Sequence, residues 1–103
     1  MKSYRATING QYYETPARTV EALERYIMHG IRPGSFLQAA ISNNFVEVMM
    51  RADLENFFNL PALAHFLRWE MPSIAWGSAE KMEAWIKKGG SDGRRTEKTE
   101  HSD

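Results

Sequence analysis

A chain of 103 residues, 43% hydrophobic and 12% aromatic, is long enough for one domain around one core. Its 13 basic and 13 acidic residues cancel, which removes any global electrostatic bias toward nucleic acid or an anionic membrane. The absence of cysteine excludes disulfides, thiolate zinc sites and cysteine nucleophiles, and fits a reducing, cytoplasmic setting.

No apolar run approaches the roughly 18 residues that a membrane span needs, and Met1–Ile8 lacks the apolar centre of a signal peptide. The first element reads as a β-hairpin over 3–15. Asn9-Gly10 is the favoured pair for a two-residue type I′ turn, because both positions need positive φ. That register pairs Ile8 with Gln11, Ala6 with Tyr13 and Arg5 with Glu14. Tyr4, Ala6, Ile8 and Tyr13 then share one face, and Arg5, Thr7, Tyr12 and Glu14 the other. A lone ribbon is marginal in water, so it must pack on helices or pair its edges with a second chain as a homodimer. Packing is the simpler case.

Thr15-Pro16 and Thr19 offer starts for a first helix running to His29, where Gly30 supplies a left-handed stop. Pro33-Gly34 restarts the chain. Leu37, Ile41, Phe45, Val48, Met49 and Ala52 recur at steps of three and four, which predicts one long helix from Gly34 to Ala52, kinked at Asn43-Asn44. Asp53 ends it or caps the next. A short helical segment over 53–59 precedes a fresh helix at Pro61, which Pro72 stops. Ser78 caps a last helix that closes on Lys87-Lys88 and Gly89-Gly90. Residues 89–103 carry no apolar side chain and read as a disordered polar tail. The expected fold is mainly α: a compact bundle of four to five helices over 1–88 with an N-terminal hairpin.

The candidate functional residues are few. Tyr12 beside Arg5 and Glu14, on the hairpin face away from the core, has the composition of a protein-binding patch. Asn43 and Asn44 either offer amides to a partner or bond the backbone at the kink. Arg51, Asp53 and Asn56 read as a structural polar network that sets the angle between two helices. The remaining aromatic residues, among them Phe57, Phe58, Trp69, Trp76 and Trp85, are assigned mostly to the core. His29 and His65 lack metal-ligand spacing, so no metal, no cofactor and no enzymatic activity are expected. The basic positions Lys87, Lys88, Arg94, Arg95 and Lys98 are interleaved with acids and make a poor nucleic-acid arm. The Gly30–Gly34 junction passes for a helix-turn-helix linker, which gives the alternative function of a small nucleic-acid-binding regulator. The helix after it lacks the lysines and arginines that face DNA.

The order Tyr26-Ile27-x-x-Gly30-x-x-Pro33-Gly34-x-Phe36-Leu37-x-Ala39, then Asn44, Arg51-Ala52-Asp53-x-x-Asn56, Pro72 and Trp76-Gly77-Ser78 with Trp85, resembles a family of small proteins. They are encoded in bacteriophage and prophage genomes of Gram-negative hosts and have no assigned activity. The likeness covers Glu24 to Ile86. It implies a phage origin, action in the host cytoplasm and a host protein complex as partner. Small phage accessory proteins of this kind include inhibitors of defence systems such as CRISPR–Cas effectors.

Overall fold

The computed structural model describes residues 2–93. Strands β1 (Tyr4–Ile8) and β2 (Gln11–Thr15) form the expected hairpin. Asn9 and Gly10 both take positive φ, 52° and 79°, and the register pairs Arg5 with Glu14, Ala6 with Tyr13 and Ile8 with Gln11. The ribbon gains its stability by laying its Tyr4–Ala6 face on the helix α5 (Leu60–Trp69). Tyr4 meets Phe66 edge-on at 5.1 Å, and its hydroxyl bonds His65 Nδ1 at 2.7 Å. The Glu14 amide, on the outer edge of β2, donates to Asn59 Oδ1 at 2.8 Å. One edge group that a homodimer would need is thereby already used.

Helix α1 (Ala17–His29) begins one residue after Pro16, which holds the extended N-cap position with no side-chain cap. Neither threonine caps it. Thr15 is buried, and its hydroxyl has no hydrogen-bond partner among the described residues. Val20, Leu23 and Tyr26 face inward, and Gly30 closes the helix at φ 67° by donating its N–H to the Tyr26 carbonyl at 2.9 Å.

The single long helix expected over Gly34–Ala52 is two helices, α2 (Ser35–Ile41) and α3 (Phe45–Arg51). Asn43 adopts φ 62°, a left-handed conformation that breaks the i→i−4 ladder, and Asn44 caps α3 by accepting from the Glu47 amide at 3.3 Å. Asparagine tolerates the left-handed region better than most residues, and its short amide serves as a cap. Two such residues in sequence therefore make a corner, not a kink.

Asp53 caps α4 (Leu54–Phe58) by accepting from the Asn56 amide at 2.8 Å. Helix α5 follows with Pro61 in its first turn, then a 3₁₀ turn at Ser73–Ala75, and α6 (Ala79–Lys88) capped by Ser78. The core gathers Leu23, Tyr26, Ile41, Leu63, Leu67 and Trp85 from α1, α2, α5 and α6. The expected tail boundary at Gly89 shifts. Residues 90–93 form a helical turn docked on the end of α1, with Ser91 Oγ donating to the Ile27 carbonyl at 3.2 Å and His29 Nδ1 2.9 Å from Asp92. The remainder of the expected tail, 94–103, lies outside the described residues, and with it Arg94, Arg95 and Lys98.

Candidate interaction surface

On the outer face of the hairpin, Glu14 gathers its neighbours. Ser3 Oγ donates to it, Tyr12 Oη donates at 3.3 Å, and Arg5 Nε stands 3.6 Å away. The Ser3 hydrogen bond first, then Arg5 and Tyr12, hold this carboxyl below the ordinary glutamate value against the opposing effect of desolvation. Tyr12 is 59% exposed. Together with Pro16, Glu55 and Asn59, Ser3, Tyr12 and Glu14 line a shallow polar cleft of about 480 Å³. The three hairpin residues expected to act together thus do sit together.

Asn43 and Asn44 lie elsewhere. They rim an apolar groove of about 280 Å³ between α3 and α5, floored by Val48, Met49, Leu63 and Leu67 with Phe45 at its mouth. No titratable side chain lines it.

The expected network of Arg51, Asp53 and Asn56 is regrouped. Arg51 pairs with Glu47 one turn back on α3 at 2.5 Å and does not join the other two. Its place is taken by Arg18, whose guanidinium reaches Asp53 at 2.9 Å and Glu55 at 2.8 Å. Thr19 Oγ1 donates to the buried Asn56 Oδ1 at 3.2 Å. The result ties the start of α1 to the start of α4. A signal for it was present: an arginine in the first turn of a helix opposes the macrodipole, and α1 has no acid in that turn to offset it. The Asp53 carboxyl is held below its usual value, chiefly by the Asn56 amide and then by Arg18. The lowered value stabilises the fold above the unfolded aspartate pKa of about 3.9, and that contribution is lost as pH falls through the native value. Asp53→Ala should lower stability by about 1 kcal/mol in urea titrations at pH 7, and by progressively less as pH falls below the unfolded aspartate value of about 3.9.

The residues least expected at the surface are apolar. Phe45, Val46 and Met50 of α3 and Leu54, Phe57 and Phe58 of α4 are all exposed, with Met50 at 76%, Leu54 at 74% and Phe45 at 72%. No residue of α3 is buried. The assignment of Phe57, Phe58 and Trp69 to the core is therefore wrong: Phe58 and Trp69 are 66% and 62% exposed. Trp85, by contrast, is 1% exposed. The clue lay in Phe45-Val46-Glu47-Val48-Met49-Met50. Apolar residues there occupy more than one face of the helix, and a short peripheral helix has only one face to turn inward.

At the Gly30–Gly34 junction, Arg32 makes two 2.7 Å bonds to Glu83, and α2 buries Leu37, Ala39, Ala40 and Ile41. The junction's one arginine is engaged, and the following helix is directed into the core. Among the described residues, no group of three or more His, Asp or Glu is placed to hold a metal ion, and no helix is long and apolar enough to cross a membrane.

The fold and this surface define a small, mainly α domain with an N-terminal hairpin and exposed apolar side chains on α3 and α4. In comparisons with protein-family models, curated proteins and solved structures, nothing matches the chain.

Proposed function

We propose that this chain is a non-catalytic protein-binding factor of bacteriophage origin that binds and modulates a host protein complex, as anti-defence factors of the CRISPR–Cas inhibitor kind do. The observation that carries the binding reading is the run of six exposed large apolar side chains between Phe45 and Phe58. Single exposed apolar residues are ordinary; six within two consecutive short helices mark a surface that another molecule covers. The groove beside them is apolar and holds no acid, base or nucleophile, which suits docking and not bond-breaking. The polar cleft at Tyr12 and Glu14 adds a second surface of contrasting chemistry, flanked by Arg5. The phage setting and the host partner rest on the sequence resemblance alone.

The test is affinity capture of the tagged chain from a nuclease-treated lysate of a Gram-negative host, read by mass spectrometry. One stoichiometric host complex is expected, lost on Tyr12→Ala or on Met50→Glu. Retention only through nucleic acid, or of nothing, would overturn the reading.

A further inference from the structure

We infer that α3 is a lid: it opens by itself, as one unit, and uncovers the apolar floor that α2 and α5 form beneath it. The purpose of that motion, admitting a partner to the groove, rests on the docking reading above; the motion itself rests on how α3 is packed.

Alone among the described helices, α3 buries no side chain. None of its three faces is filled. Phe45, Val48 and Met49 share the stripe along the α5 groove of about 280 Å³. Glu47 and Arg51, one turn apart, line a polar cleft of about 470 Å³ on the side of α2 and α6, with Ser35, Gln38 and Met82. Val46 and Met50 are exposed to solvent. The half-buried Val48 is its attachment to the core.

The polar groups of α3 are spent internally. Arg51 pairs with Glu47, and Asn44 caps the Glu47 amide. Among the described residues, no α3 side chain hydrogen-bonds or ion-pairs with another element. The flanks are the reverse. The Asn43 and Asn44 amides donate to the Ala40 and Ala39 carbonyls of α2 at 3.1 and 2.9 Å. Past Ala52, whose backbone is extended at ψ 134°, Asp53 is fixed by Arg18 and by the Asn56 amide. The helix is thus pinned at both ends and loose between its pins.

The free energy of a local opening follows the contacts it breaks. Opening α3 gives up its intrahelical bonds, the Val48 contact and little else, and a helix this short is marginal in water by itself. The floor is of the opposite kind: Ala40, Leu63 and Leu67 are buried and belong to the core cluster. With α3 in place, part of that floor is kept from water. With α3 aside, a partner's apolar side chain reaches it.

The test is residue-resolved hydrogen exchange by NMR on the purified full chain, wild type beside Trp85→Phe. The amides of residues 48–52 should exchange together, about 100-fold or more faster than the slowest amides of α5. Trp85 bonds α6 to α1 and lines neither cavity beside α3. Its replacement destabilises the whole domain but not a lid that opens independently. Trp85→Phe should therefore speed the slowest α5 amides about tenfold and leave residues 48–52 unchanged. Access to the floor is read separately: an Ala40→Cys thiol, in a chain with no cysteine of its own, should react with a maleimide as often as α3 opens. Amides 48–52 that match the slowest of α5, or quicken with them in Trp85→Phe, overturn the inference. So does an Ala40→Cys thiol labelled no faster than global unfolding allows, because α3 then frays without uncovering the floor. Independent opening of α3 in a chain that captures no host complex removes the docking reading and leaves the lid. Capture by a chain whose α3 exchanges only with the whole domain removes the lid and leaves the docking reading.

Discussion

Trp85→Ala is expected to lower stability by about 3–5 kcal/mol. Trp85 is 1% exposed on the inner face of α6, and its indole N–H donates to the Tyr26 carbonyl at 2.9 Å. That carbonyl lies in the last turn of α1 and accepts from the Gly30 N–H as well, so the indole adds a second donor at the helix end. The Tyr26 hydroxyl in turn donates to the Ala75 carbonyl in the 3₁₀ turn at 2.7 Å. Burial pushes the Tyr26 phenol well above its ordinary value, so it stays a neutral donor. Trp85 and Tyr26 together thus join α1, the 3₁₀ turn and α6, and alanine at position 85 would leave a void beside them. A domain of this size commonly has about 5–15 kcal/mol in all, so the variant should sit near the edge of folding. Urea or thermal denaturation followed by circular dichroism measures it. Trp85→Phe separates the two contributions: it keeps most of the volume, loses the donor, and should cost about 1–2 kcal/mol. If Trp85→Ala costs less than Trp85→Phe, the core is not organised around this ring.

What could be read from the sequence was what is encoded locally. Asn9-Gly10 specifies a turn type, and the turn type fixes a register, so the Arg5–Glu14 pairing followed without knowledge of the rest of the fold. Gly30, Asp53 and Ser78 mark helix ends for the same reason: cap chemistry acts over three or four residues. The failures have one physical cause, that periodicity reports a face but not what lies opposite it. Leu37 through Ala52 keeps helical period across Asn43-Asn44, and nothing in the pattern distinguishes a bent helix from a corner where Asn43 turns left-handed. Phe57 and Phe58 look like core because aromatic residues usually are, yet α4 has only five residues and buries Asn56 instead. Arg18 in the first turn of α1 signals a need for an acid, but the sequence does not say which one, because Asp53 is 35 positions away. The hairpin site Arg5, Tyr12 and Glu14 was legible because it depends on register alone; the α3–α4 face depends on tertiary burial and was not.

Gly30→Ala is the second large effect expected, about 2–3 kcal/mol, and its mechanism can be separated from ordinary loss of a helix stop. Gly30 sits at φ 67°, where an added Cβ costs about 1–2 kcal/mol by itself. That Cβ would also lie 2.7 Å from the Gly90 nitrogen and 2.9 Å from the Gly89 carbonyl carbon. Both are backbone atoms, which yield only if the 89–93 segment moves. Gly90 mirrors it at φ 73°, with a Cβ 2.5 Å from the Gly30 nitrogen. The two glycines let two backbones cross where no side chain fits, and the Ser91–Ile27 and His29–Asp92 contacts hold the crossing closed. Asparagine tolerates the left-handed region, so Gly30→Asn should restore full stability if dihedral strain were the whole effect. Since asparagine carries the same Cβ, the crossing requires that it fail to do so. Gly90→Ala should instead act locally, releasing the 89–93 segment and speeding tryptic cleavage after Lys87 and Lys88 with a smaller fall in Tm. A fully stable Gly30→Asn protein would show that the close approach of the two glycines does not hold in solution.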